Sequence, residues 1–133
     1  LLLEGDGRCR IRVRLMTNLL PEGRNEFIAG TNIDIALEDV PSDDIESGSP
    51  KQGVAELGAI GNCEVGIWEL RDGVVTDTEV DEFFVVLSGN ATVEFLDEGR
   101  SVEVGAGDVM RLVAGSRTRW TVTDHIRKVY ISG

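Results

Sequence analysis

At 133 residues the chain is the size of one domain. Thirteen basic against twenty-four acidic side chains give it a net charge of −11, which repels phosphate backbones and anionic lipid and so excludes nucleic acid and the membrane surface as favoured partners. Two cysteines, Cys9 and Cys63, are too few for a disulfide framework and read as free thiols in a reducing cytoplasm. No apolar run reaches the length of a membrane span, and no apolar core precedes a small-residue cleavage site. The opening Leu1-Leu2-Leu3 is too short for either.

Residues 1–15 differ in texture from the rest, and Met16-Thr17-Asn18 has the look of a natural start. Within them Arg8, Arg10, Arg12 and Arg14 alternate with Cys9, Ile11, Val13 and Leu15. That period of two fits a strand with one cationic and one apolar face, laid on the acidic body or on a neighbouring subunit; accidental patterning is the other reading. Residues 16–60 are expected to form an N-terminal arm and an acidic loop. Asn32–Leu37 alternates like a short strand. Residues 38–53, with Pro41, Asp43, Asp44, Gly48, Pro50 and Gly53, read as loop.

Residues 61–133 are expected to be the core. Short β-rich runs recur about every ten residues between turn signals, as in a sandwich or barrel. Val65–Leu70 stops at Asp72-Gly73, Glu82–Leu87 at Gly89-Asn90, Ala91–Leu96 at Asp97-Glu98-Gly99, Ser101–Val104 at Gly105, and Val109–Val113 at Gly115. Trp120–Thr123 and Arg127–Ile131 then read as a closing hairpin, with His125 in its turn. The expected class is all-β, a single jelly-roll (double-stranded β-helix) barrel with an N-terminal arm.

Two blocks carry a more specific signal. Glu82-Phe83-Phe84-Val85-Val86-Leu87-Ser88-Gly89 has the spacing that ends the first cupin block. Gly107-Asp108 followed by Val113-Ala114-Gly115 matches the second, with Val113 where that block has proline. Gly66-Ile67-Trp68-Glu69, Asp81-Glu82-Phe83, Trp120 and Arg127-Lys128-Val129-Tyr130 add further wording. The last half of the chain thus resembles the cupin superfamily, and within it the small cupins related to the ureidoglycine aminohydrolase cupin domain. The resemblance implies a barrel whose interior holds a transition metal on three histidines and a glutamate.

Of that ligand set the chain keeps Glu82 alone. The His-x-His window holds Val75-Thr76-Asp77-Thr78, the third histidine position holds Thr118, and the one histidine, His125, matches none. A transition metal favours imidazole or thiolate donors, so no cofactor is expected. Asp77 and Glu79 leave a weak oxygen-only divalent site as the remaining metal option, with Glu82 its ligand.

Strand alternation carries the reading inward. With Glu82 facing the interior, Phe84 and Val86 follow, as do Trp120 and Val122 after Thr118, while Lys128 and Tyr130 share a face opposite Arg127 and Val129. The expected ligand pocket is therefore Glu82, Phe84, Thr118, Trp120, Lys128 and Tyr130, joined by Trp68. A buried Glu82 needs a cationic partner: Lys128 first, Arg111 second. Arg119 is expected to be solvated. Ser88 and Ser116 have no histidine near them in sequence, which leaves a serine-type triad little room. Two functions follow. The first is a metal-free barrel acting as a small-molecule-binding or accessory protein. The second is a cupin enzyme of the ureidoglycine aminohydrolase type, acting on a small nitrogen-containing metabolite with Glu82 as its catalytic group. A homodimer is expected in either case.

Overall fold

A computed structural model of the chain describes residues 18–133. The patterned segment Leu1–Leu15 and Cys9 lie outside the described residues. Seven strands account for the regular structure: β1 (Glu38–Asp39), β2 (Ile45–Ile60), β3 (Cys63–Thr78), β4 (Glu82–Phe95), β5 (Arg100–Gly105), β6 (Val109–Leu112) and β7 (Arg117–Ser132). One 3-10 turn at Ser42–Asp44 precedes β2. The class is all-β, and every pairing is antiparallel.

The sheet runs β1-β2-β3-β7-β4-β5, with β6 also on β4. The central strand β7 pairs with β3 along one side and β4 along the other. On its far side β4 meets β6 over Glu82–Val85 and β5 over Asn90–Phe95. This wraps one apolar face around Trp68, Leu70, Val75, Phe84, Val86, Val93, Leu112, Trp120, Val122 and Ile126.

Two bulges explain how strands longer than the sequence suggested keep one face inside. In β3 the inward positions are Trp68 and Leu70, then Val75. The change from even to odd falls at a register shift between Arg71 and Gly73. Asp72 there has φ 43°, and Gly73 lies within 2.8 Å of the Pro50 ring at the point where a Cβ would stand. In β4 the inward set is Glu82, Phe84 and Val86, then Ala91, Val93 and Phe95, with register shifts around Ser88 and Gly89. An extra residue in one strand bends it and flips the side-chain phase. Turn residues inside a run therefore marked bulges, not strand ends.

Three other expectations change. Residues 45–53, expected as loop, form the first part of β2, where Pro50 and Gly53 sit in the sheet between bulges. Asn32–Leu37 is not a strand. His125 lies within β7, not in a hairpin turn. Of the expected arm, residues 19–31 lie along the outside of the barrel, while Val40 packs into the core. Leu19 and Leu20 N–H groups donate to the Glu56 and Leu57 carbonyls at 3.0 and 2.7 Å. Arg127, buried on the outer face, donates to the Gly30 and Thr31 carbonyls and to Glu69 at 2.7 Å, while Arg71 takes the other Glu69 oxygen. A carboxylate between two guanidiniums is thereby paired before burial, which its desolvation requires.

Candidate functional site

Pairing of β3, β7 and β4 brings together most of the residues expected inside. Lys128 lies across from Trp68 on one side and Val86 on the other, and Phe84 lies across from Tyr130. The Lys128 Nζ donates to Glu82 Oε2 at 2.6 Å, and both side chains are 0% exposed. The same ammonium stands 4.3 Å from the Phe84 ring centroid and 4.8 Å from those of Trp68 and Trp120. Trp68 meets Trp120 edge-on at 5.3 Å, and Phe84 tilts against Trp120 at 5.8 Å. A cation caged by three ring faces and one carboxylate is held by short-range charge and quadrupole attraction in a dry setting. Arg111 takes no part. It stacks on Phe83 at 4.5 Å on the outer face. Tyr130 is buried too, its hydroxyl against Gly66, where a Cβ would lie 2.4 Å away.

A second carboxylate completes the interior. Glu79 sits in the β3–β4 connection, where its N–H bonds Ser116 O and its carbonyl accepts from Gly115 N, both at 2.9 Å. Its Oε2 accepts from the Thr118 hydroxyl at 2.7 Å and from Trp120 Nε1 at 3.0 Å. Spacing along the chain marks Glu79 only as a weak metal donor. Its role as acceptor for Thr118 and Trp120 has no signal there. Asp77 pairs across the sheet with Thr118. Its pKa is pushed up to about 7, first by burial and next by the charge of Glu79. Among the described residues, three buried polar atoms have no hydrogen-bond partner: Trp68 Nε1, Glu79 Oε1 and Glu82 Oε1.

The divalent metal implied by the resemblance does not fit these residues. The kept ligand position, Glu82, is already neutralised by an ammonium at 2.6 Å, which would repel a metal cation. Thr118, at a histidine position, spends its hydroxyl on Glu79. No group of three or more His, Cys, Asp or Glu side chains among the described residues is arranged to hold a metal.

Outside the barrel, one expectation is refined and one corrected. Arg119 faces outward, 31% exposed, and bridges Glu46 at 2.7 Å and Glu94 at 2.9 Å. His125, read as a turn residue remote from any serine, has its Nε2 3.0 Å from Ser88 Oγ and its Nδ1 2.6 Å from Asp124 Oδ2. Cys63 carries a free thiol. No helix among the described residues is long and apolar enough to cross a membrane.

The family model for the EutQ-like cupin domain matches residues 57–130, over half of the chain and all of the interior site. The chain belongs to the EutQ-like cupin family. No curated protein matches it. Among solved structures, the EutQ protein of Clostridium difficile is 22% identical, with 71% of this chain and 79% of that one covered at a TM-score of 0.55. A putative ethanolamine utilization protein Q of Salmonella typhimurium LT2 is 20% identical over 76% of this chain and 96% of that one, at 0.55. A DUF861-family protein of unknown function from Pseudomonas syringae pv. tomato is 18% identical over 77% of this chain and 46% of that one, at 0.67. At these identities the structures share the cupin fold with this chain.

Proposed function

We propose that this cupin is a metal-free small-molecule-binding or accessory protein, in which Lys128 supplies the positive charge that a metal supplies in other cupins. The observation that carries this is the Glu82–Lys128 pair inside its aromatic cage. The unpartnered atoms indicate what the interior lacks. Glu79 Oε1 and Glu82 Oε1 call for donors, and Trp68 Nε1 calls for an acceptor. Leaving such a buried atom without a partner costs about 1–3 kcal/mol, so a ligand that satisfies it gains that much. Small molecules carrying an ammonium and a hydroxyl offer both kinds of group. The name of the Salmonella relative, an ethanolamine utilization protein, points toward the same chemistry.

Isothermal titration with ethanolamine and with acetate tests the reading. Ethanolamine is expected to bind and acetate not, and Glu79→Gln is expected to weaken ethanolamine at least about tenfold, the effect of one lost charge-assisted bond. Acetate binding with no heat from ethanolamine would reverse the donor assignment. No heat from either would remove the binding role.

A second reading, an enzyme of the aminohydrolase type, draws on Asp77, a carboxyl poised near neutrality beside Glu79 as a general acid–base needs to be. Its discriminator is ammonia release from ureido substrates that is lost in Asp77→Asn.

We also propose a homodimer. Phe83 and Ile131, paired across β4 and β7, are 46% and 47% exposed on the outer face, and Val109, paired with Val85 on the same sheet, is 65% exposed. Large apolar side chains exposed on one sheet favour a partner surface. Light scattering should give twice the chain mass; the mass of a single chain would remove the proposal.

A further inference from the structure

We propose that Ser88, His125 and Asp124 form a hydrogen-bonded nucleophile relay on the outer face of the barrel, able to attack small activated carboxylic esters. The three groups form one line. Asp124 Oδ2 lies 2.6 Å from His125 Nδ1, and His125 Nε2 lies 3.0 Å from Ser88 Oγ. With Nδ1–H donating to the carboxylate, Nε2 is left as the acceptor for the serine hydroxyl, the tautomer a general base requires. The His125 hydrogen bond and, more weakly, Arg71 hold the Asp124 carboxyl below its ordinary range, so it stays ionised behind the imidazole.

The backbone fixes this alignment. Ser88 and His125 come from neighbouring strands, and Ser88 stands between two register shifts. Gly89 follows it at φ 77°, so close to the β7 backbone that a Cβ would lie 2.0 Å from the His125 carbonyl. Only glycine reconciles that approach with that φ, so the bulge sets the serine against the histidine. His125 is 22% exposed and Asp124 83%, so the relay is reached from solvent without opening the barrel. A groove of about 500 Å³ begins two residues along each strand, at Asn90 and Thr123, and continues past Glu103 and Thr121. It can receive the acyl or leaving group.

The chemistry closes on these groups and water. Ser88 Oγ bonds to the ester carbonyl carbon as its proton passes to His125 Nε2. The carbon–oxygen bond to the leaving alcohol breaks, and that oxygen takes the proton. Water then attacks the acyl carbon, gives its proton to Nε2, and the acyl–Oγ bond breaks as Oγ is reprotonated. None of this draws on the interior site.

The test is p-nitrophenyl acetate hydrolysis by the full chain, with diisopropyl fluorophosphate labelling mapped by mass spectrometry. Positioned base catalysis should raise p-nitrophenol release about 10²-fold over buffer. Ser88→Ala and His125→Gln should each return it to the buffer rate, and Asp124→Asn should lower it at least about tenfold. The phosphoryl label should fall on Ser88 of the unmodified protein, a readout independent of how the variants fold. Activity that survives Ser88→Ala but not His125→Gln would show an imidazole acting alone and overturn the relay. So would a wild-type rate equal to buffer with Ser88 unlabelled.

Discussion

Lys128→Met is expected to lower the unfolding free energy by about 3–5 kcal/mol, the cost of leaving a buried charge without its partner. Glu82 is fully enclosed, and its Oε1 already lacks a donor. Removing the ammonium takes the hydrogen bond on Oε2 as well, so the carboxylate must stay charged in an apolar cage or take up a proton. A domain of this size has about 5–15 kcal/mol in total, so the variant stands near the edge of folding. Glu82→Leu combined with Lys128→Met removes both charges and keeps the volume apolar. It should regain most of the loss, short of the cation–π share from the three rings. Urea unfolding of the wild type, both single variants and the double variant gives the coupling directly. A loss below about 1 kcal/mol in Lys128→Met would mean that the pair does not hold the interior together.

The second large effect is on pH dependence. Asp77 has its pKa raised from 3.8 to about 7 in the folded chain. A carboxyl raised in this way prefers its protonated form when folded. Its contribution to stability is fully present below pH 3.8 and is lost as pH rises to 7, where ionised Asp77 faces Glu79. Asp77→Asn keeps the shape without the charge. It should raise stability at pH 8 by on the order of 2–4 kcal/mol, from about 1.4 kcal/mol for each tenfold change in proton affinity, discounted for partial exposure, and by little at pH 4. Urea midpoints of both proteins at those two pH values are the check. A wild type whose difference from Asp77→Asn is the same at both would contradict the raised carboxyl.

Much of the barrel was legible because its strands obey simple alternation. Glu82, Phe84 and Val86 share a face in the sequence and in the sheet, and so do Trp120 and Val122. Legibility failed at the bulges. Asp72-Gly73 and Gly89-Asn90 carry turn chemistry, yet the ladder continues through both. Local propensity reports the bend, whereas only cross-strand pairing shows that the strand goes on. Residues 45–53 misled for the same reason, since Gly48, Pro50 and Gly53 fit beside β3 only through register shifts and close backbone approaches. Within the site, the Lys128 position facing Glu82 follows from side-chain parity. Glu79 does not, because it lies in a connection whose path is set by hydrogen bonds to Gly115 and Ser116. Ser88 and His125 are 37 residues apart, and their meeting depends on two bulges that no local pattern records.

An ammonium, not a metal, neutralises Glu82 in this barrel. Elemental analysis of protein purified without chelator, with melting followed before and after EDTA, tests it most directly. The expected result is transition metal far below one equivalent and an unchanged melting temperature. One equivalent of bound metal, lost to EDTA together with a fall in melting temperature, would contradict it.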